Sequence, residues 1–474
     1  MHYEKFPDGT VKCIQNEVPF ELPEGWEWCR LRDIFTICSS KRVLQSNWKK
    51  TGVPFYRARE IVKLSEYGMV NNELFISEEH YSELKEKYGV PQAGDIMISG
   101  VGTIGKVYVV KEDDKFYYKD ASVLCFQNTY NIINPQFAKY ILESKFMQQQ
   151  MYSYSKGTTV DTITISTAMD YIFLLPPLQE QHSIVAKITE LLSFVDSIES
   201  DKIFLLTTID QTKAKILDLA IRGKLVPQDP NDEPASVLLE RIKAEKESLI
   251  RQGRIKRNKK ESVIFKGEDN SYYEKIGNIA RNINDELPFD IPENWAWIRL
   301  QTCCQKEIKR GKSPKYAESS DTLVFAQKCN TKYDGINMDL ALYLDESTLV
   351  KYPDDEYMQD KDTVINSTGT GTLGRVGIYR RTDNRREMPV VPDSHVTVIR
   401  ANNEISAEYI YHFLKAYQQE LEKLGEGSTN QKELKPLTLK NLIVALPPYA
   451  EQERIIEIIT AAFEIMTNIE KSLS

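Results

Sequence analysis

The chain has 474 residues, a formal net charge of −8, and 41% hydrophobic and 27% charged residues, the balance of a globular protein with room for about three domains. No basic-then-apolar leader opens it and no apolar run reaches membrane-spanning length, so a helical membrane protein is excluded and the cytoplasm is the expected compartment. Seven cysteines without a CxxC pair and five scattered histidines exclude a disulfide framework and a zinc site, and the acidic balance excludes a chain coated in positive charge.

Taken in chain order, the sequence soon begins to anticipate itself. His2-Tyr-Glu-Lys5 returns as Tyr272-Tyr-Glu-Lys275. Glu17-Val-Pro-Phe-Glu-Leu-Pro-Glu-Gly-Trp-Glu-Trp-Cys-Arg-Leu31 returns 269 residues later as Glu286-Leu-Pro-Phe-Asp-Ile-Pro-Glu-Asn-Trp-Ala-Trp-Ile-Arg-Leu300, identical at nine of fifteen positions. Gly100-Val-Gly-Thr-Ile-Gly105 pairs with Gly369-Thr-Gly-Thr-Leu-Gly374, and Leu175-Pro-Pro-Leu-Gln-Glu-Gln181 with Leu446-Pro-Pro-Tyr-Ala-Glu-Gln452. Between these blocks the two copies hardly resemble each other. A period this long lies outside the solenoid range and marks a tandem duplication, two domains with one frame and divergent interiors.

After the first frame block, Lys41, Arg42, Lys49, Lys50, Arg57, Arg59 and Lys63 face a single acid, with Trp48, Phe55 and Tyr56 interleaved. Their counterparts in the second copy are Lys306, Lys309, Arg310, Lys312 and Lys315. One basic cluster is ordinarily a solvated face; clusters at equivalent places in both copies point to a polyanion. Short β-rich runs follow, at Asp95–Ser99 and Lys106–Val110, with helices expected at Glu78–Tyr88 and Gln136–Tyr152. The second copy repeats the plan with strands at Thr363–Asn366, Arg375–Tyr379 and Val396–Ile399 and a helix at Ala407–Leu424. Each copy is therefore expected to be a mixed α+β domain.

Both glycine blocks satisfy GxGxxG, but a dinucleotide fingerprint must open a helix, whereas strand-like residues follow here. The alternative is a glycine turn between strands, with Gly102 or Gly371 at its tip and Lys106 or Arg375 just beyond it, able to press its backbone against phosphate. Leu-Pro-Pro comes near the Asn/Asp-Pro-Pro motif of adenine-N6 methyltransferases, yet leucine cannot accept a hydrogen bond from the target amino group. The prolines serve better as helix starters. No paired carboxylates, activated nucleophile or P-loop stands out.

Beyond each Pro-Pro a heptad stripe begins. Ile184, Ile188, Leu191, Val195 and Ile198 lead a run that continues to Leu219, a seam of roughly 60 Å. Ile455, Ile459, Ala462, Met466 and Ile469 follow the same steps in the second copy. Antiparallel pairing of the two stripes is the expectation; packing of each helix on its own domain is the alternative. Gly223 ends the first stripe, a proline-rich connection follows to Pro234, a helix is expected over Ala235–Gln252, and a basic stretch (Arg251, Arg254, Lys256, Arg257, Lys259, Lys260) leads a surface linker as far as Asp285.

Two variable domains introduced by Leu/Ile-Pro-Glu-x-Trp-x-Trp-x-Arg-Leu are each closed by Leu-Pro-Pro-x-x-Glu-Gln and a heptad helix. Together with Leu219-Ala-Ile-Arg-Gly-Lys-Leu-Val-Pro-Gln-Asp-Pro-Asn-Asp-Glu-Pro-Ala-Ser236, they closely resemble the DNA-specificity subunit of type I restriction-modification systems. The resemblance covers essentially the whole chain. It implies two target recognition domains (1–165 and 286–435), a central conserved region (166–285) and a C-terminal conserved helix (436–474), forming an α+β protein with a pseudo-twofold repeat and an antiparallel coiled coil. Each domain would read half of a bipartite site in double-stranded DNA, and the helices would dock modification subunits. A restriction subunit would join through that complex. This chain would hold no cofactor, while S-adenosylmethionine, ATP and Mg would belong to the partners. The residues expected to meet DNA are Lys41, Arg42, Lys49, Arg57, Arg59, Gly102 and Lys106, and Lys309, Arg310, Lys312, Lys315, Gly371 and Arg375. A stand-alone DNA-binding or scaffold protein is the alternative, and a methyltransferase or nuclease is disfavoured by the missing motif. By an offset of 271, Ser474 aligns with Ile203, which suggests a shortened or recombined relative of the family.

Overall fold

The structure, a computed structural model, describes residues 2–155, 160–252, 262–332, 335–369, 371–427 and 432–473. The chain divides into two compact units, Met1–Glu199 and Ser200–Ser474. Most of the basic linker stretch lies outside the described residues.

Each unit is built on the recurring blocks, and the contacts explain why those blocks recur. In the first unit the Trp-x-Trp strand Glu27–Arg30 pairs antiparallel with Ile172–Leu175, which runs into Pro-Pro. In the second, Ala296–Arg299 pairs with Ile443–Leu446 in the same way. The frame arginines close against the Tyr-Glu-Lys strands: Arg30 ion-pairs Glu4 and Glu17, and Arg299 ion-pairs Glu274 and Glu286. The last glutamine of each Pro-Pro block is fully buried. Gln181 accepts from the Asn134 N–H and donates to the Pro176 carbonyl, while Gln452 accepts from Ser406 and donates to Pro447. Asn134 and Ser406 are the N-caps of the helices Pro135–Glu143 and Ala407–Ala416, so one amide ties the start of a domain helix to the entry of the exit helix.

The variable interiors hang from this frame. In the first unit the sheet order is Thr36–Cys38, Val123–Gln127, Ile96–Ser99, Val107–Val109. The second unit repeats its last three strands as Val396–Ile399, Thr363–Asn366 and Val376–Ile378. A smaller sheet follows the same logic in both, with Val53–Tyr56 parallel to Tyr117–Tyr118 and Leu323–Phe325 parallel to Val390–Pro392.

Three expectations are corrected. The single helices predicted at 136–152 and 407–424 are each two helices, broken at Ser144 and Tyr417. Ser144 is extended and its hydroxyl caps the second helix, an alternative that serine offers the backbone and a hydrophobic pattern does not reveal. The surface linker is not one throughout: Ser262–Lys266, Tyr272–Ile276 and Ile279–Asn282 form an antiparallel sheet that carries Glu274 to Arg299.

The third correction concerns the seam. The long helix Leu178–Ile221 starts on its own domain, where Ile184 packs against the first unit's core. Leu191, Val195 and Ile198, predicted as seam, are 51%, 50% and 67% exposed. Within the second unit the end of the long helix does pack on the C-terminal helix Tyr449–Leu473: Leu217, Ala220 and Ile221 share a core with Ile455 and Ile459. Lys213 bonds Glu470 near the end of that helix, whereas Asp232 and Gln228, just beyond the long helix, bond Arg454 and Glu451 near its start, so these two segments run antiparallel. Met466 is half-buried and Ile469 exposed. The buried face passes through Lys213 and Glu470 rather than Thr212 and Ile469, because a straight helix drifts away from a strict heptad.

Candidate nucleic-acid interface

The same three loops meet at one edge of each unit. In the first, the glycine loop follows the strand Ile96–Ser99; Gly100 donates to the Ser122 carbonyl, Ile163 donates to Gly100, and Gly102 donates to Asp161. In the second, Ser367 donates to His395, Leu434 donates to Ser367, and Thr368 bridges Glu433. The glycine loop, the turn before the third sheet strand and the segment after the paired helices are thereby gathered in both repeats. Gly102 and Gly371 lie in the left-handed region, at φ 80° and 75°, with open space where a Cβ would stand.

The basic stretches run into this edge. Ser39 and Ser40 hydroxyls bond Ala121 and Tyr118, and the Lys41 N–H donates to the Tyr117 hydroxyl, bringing Lys41 and Arg42 beside the turn at Asp120–Ser122. In the second unit Gly311 donates to Val396, and Arg310 and Lys312 bridge Thr397 and Asp393. A Cβ at Gly311 would fall 2.3 Å from the carbonyl oxygens of both Pro392 and Asp393, so only glycine lets the stretch lie this close.

The expected DNA-contacting side chains divide into two groups. Lys41, Arg42, Lys49 and Lys315 are exposed, Lys312 is half-buried, and none of the five has an ion pair among the described residues. The others are engaged within the protein. Arg57 and Arg59 both bond Glu60, which is itself buried. Lys106 lies 2.9 Å from Glu66, Lys309 pairs with buried Glu356, and Arg310 pairs with Glu433. Glu356 raises the Lys309 ammonium above its ordinary value by accepting its hydrogen bond. Arg375 donates to the carbonyls of Asn330 and Gly371 and so braces the glycine loop from within. Arg310 and Arg375 thus brace the edge, and Lys41, Arg42 and Lys312 lie on the segments bonded to it, whereas the backbones of Lys49 and Lys315 bond Phe75 and Asp345, outside the three loops.

Sequence reasoning overlooked the turn. His395 is exposed, with Nδ1 2.6 Å from the Thr368 hydroxyl, and its N–H donates to buried Asp393, whose carboxyl burial pushes upward. Lys119 and Ser122 occupy the equivalent turn of the first unit, where Ala121 takes a left-handed conformation at φ 61°. The signal was present but thin: Lys119-Asp-Ala-Ser-Val123 and Pro392-Asp-Ser-His-Val396 share two of five residues. Among the described residues, no group of three His, Cys, Asp or Glu side chains converges as a metal site would, and no helix is long and apolar enough to cross a membrane.

Residues 23–207 and 292–474 match the family described as type I restriction modification DNA specificity domain. The chain is similar to the type I restriction enzyme EcoEI specificity subunit of Escherichia coli, 25% identical with 98% of this chain and 82% of that protein covered. It is also similar to a putative MjaX specificity subunit of Methanocaldococcus jannaschii, 23% identical over 92% of this chain and 86% of that one. Among solved structures, the HsdS subunit from Thermoanaerobacter tengcongensis has a TM-score of 0.57 at 16% identity, covering 97% of this chain and 94% of that chain. A chain from a structural study of type I R-M complex assembly and conformational transition has a TM-score of 0.60 at 16% identity, covering 96% and 94%.

Proposed function

Because this chain belongs to the type I restriction modification DNA specificity family, of which it is a non-catalytic DNA-specificity subunit, we propose that each repeat reads one half of a bipartite double-stranded DNA site through its three-loop edge. The observation that carries this reading is the coincidence, in both repeats, of a constant frame with a variable edge to which the basic stretch is delivered. Lys41, Arg42, Lys49, Lys312 and Lys315 contact phosphate and supply affinity; the loop tips at Gly102 and Gly371 admit close backbone approach. Ser122 and His395 stand where base edges would be read, each good contact discriminating by about 1–3 kcal/mol.

The helices dock modification subunits, which hold S-adenosylmethionine, and a restriction subunit using ATP and Mg joins through them, in a cytoplasmic complex. Methylome sequencing of cells with and without this gene, in the presence of its modification subunit, tests the reading. A two-part methylated sequence that disappears with the gene is the expected result. Replacing residues 286–435 by the corresponding domain of a relative then changes one half of that sequence and leaves the other; alteration of both halves overturns the division of labour.

A further inference from the structure

Two of the seven cysteines stand side by side. In the first unit's sheet Cys38, the last residue of the strand Thr36–Cys38, is the direct antiparallel partner of Cys125 in Val123–Gln127, and both side chains join the cluster of Met97, Tyr108 and Tyr118 on one face. Directly opposed residues of an antiparallel pair have Cα atoms about 4.5 or about 5.5 Å apart, and either spacing lies inside the roughly 4.4–6.8 Å that a disulfide spans. Both thiols are free. The second repeat has Val398 where the first has Cys125, paired with Val364 as Cys125 is with Met97, so the two thiols are no part of the shared frame.

Cys38 is half-buried and Cys125 buried, so an oxidant in solvent meets Cys38 first. Hydrogen bonding from the Cys125 thiol and the Tyr118 hydroxyl holds Cys38 below its ordinary value, whereas burial pushes Cys29, Cys303, Cys304 and Cys329 upward. The Tyr118 hydroxyl lies 3.9 Å from the Cys38 sulfur, and an Asp95 carboxyl oxygen lies 3.9 Å from the Cys125 sulfur. Burial raises that carboxyl and makes it a better proton acceptor. Cys13 is exposed, but the residue opposite it in its hairpin is Tyr3 rather than a thiol. The place of the pair gives a bond there a consequence. Ser39, Ser40 and Lys41 follow Cys38 directly and bond Ala121, Tyr118 and Tyr117, and Cys125 lies just beyond that same turn.

We propose that Cys38 and Cys125 are an oxidation site, closing under peroxide into a reversible disulfide that clamps the base of the first repeat's basic segment to the strand leaving its turn. The Cys38 sulfur attacks one oxygen of hydrogen peroxide; the O–O bond breaks, and the departing hydroxide takes the Cys38 proton as water, leaving a sulfenic acid. The Cys125 sulfur then attacks the Cys38 sulfur; the S–O bond breaks, and the hydroxide that leaves takes the Cys125 proton, passed on by Asp95, as a second water. Two thiols lose two electrons and the peroxide gains them. A thiol reductant restores both cysteines and itself becomes the disulfide. None of this depends on which DNA is recognised.

The full-length chain carrying Cys13→Ser, which removes the exposed thiol, is reduced, desalted, treated with hydrogen peroxide, alkylated, digested and mapped by mass spectrometry. The peptides of Cys38 and Cys125 are expected to be linked, two hydrogens lighter than their sum, and to separate in dithiothreitol, while Cys29, Cys303, Cys304 and Cys329 stay as thiols. Because the link closes a long loop of the unfolded chain, the first unit's melting transition should rise by roughly several degrees. The amides of Ser39–Arg42 should exchange with solvent at least about ten-fold more slowly. Both changes revert with reductant and are missing in Cys38→Ser. Cys38 carried on to a sulfinic acid with Cys125 unmodified, or linked to any other cysteine, overturns the pairing. A Cys38–Cys125 link that lowers the transition, or leaves exchange at Ser39–Arg42 unchanged, overturns the clamp.

Discussion

Arg299 and Glu274 face each other at 2.7 Å, joining the Trp-x-Trp strand to a hairpin that the sequence read as linker. Glu274 is 3% exposed, and Arg30 and Glu4 repeat the pair at 2.7 Å in the first unit. In both copies the arginine also reaches a backbone carbonyl, of Asn441 or Asp170. Glu274→Gln leaves a largely buried guanidinium with Glu286 as its one carboxylate among the described residues, and a loss of about 3–5 kcal/mol is expected. Scanning calorimetry should show the second unit's transition moving down while the first unit's stays; an unmoved transition would mean that the pair is incidental.

The same pair sets an acid limit on stability. The hydrogen bond from Arg299 holds the Glu274 carboxyl at about 2, and Glu4, Glu17 and Glu286 are also lowered. A depressed folded value means that the contribution is complete above about 4.5 and is lost as pH falls toward 2; for Glu274 it amounts to roughly 3 kcal/mol. Melting temperature should therefore fall below pH 4.5, and more shallowly in Glu274→Gln. Parallel pH profiles for the two proteins would refute the assignment.

Much of the frame was legible because its residues are constrained from several sides at once. Trp28, Arg30 and Gln181 each meet partners far away in sequence, so they recur when the chain is copied. Their roles were not legible. Gln181 and Gln452 stood out only as the ends of a recurring block, and the fold shows them bonding the N-caps of other helices. The loop edge was half legible: glycines and lysines announce themselves by type, whereas the Ser122 and His395 turn is defined by backbone hydrogen bonds that leave the side chain free to vary.

Lysines without a carboxylate partner should behave differently from arginines that have one. Lys312→Ala removes a side chain without an ion pair among the described residues, and should weaken DNA binding similarly on all sequences while reducing the slope of log K against log salt by about 1. Arg59→Ala instead removes one of the two arginines that bond buried Glu60 and should lower thermal stability with little change in that slope. Equilibrium titrations at several salt concentrations separate the two; equal slopes in both variants would erase the distinction.

His395 sits on the second repeat's edge, bonded to Thr368, and Ser122 is its counterpart in the first. His395→Ala should relax discrimination in one half of the recognised site by about 1–3 kcal/mol and leave the other half unchanged. Binding to duplexes randomised in one half at a time measures this. Uniform weakening across all duplexes would return His395 to the class of positioning residues.

The heptad pattern treats Leu191 and Ile459 as equal members of a seam, and the structure does not. Ile459 is fully buried among Leu217, Ala220 and Ile455, so Ile459→Asp places an unpaired charge in a core and should cost several kcal/mol. Leu191→Asp meets solvent, and for the isolated chain a change within about 0.5 kcal/mol is expected. A periodic stripe identifies the face a helix prefers to bury, but burial requires an element on the other side. For Ile459 that element is the end of the long helix; at Leu191 nothing among the described residues reduces its exposure below 51%. Urea denaturation of both variants decides the matter, since equal large losses would show Leu191 to be buried in solution.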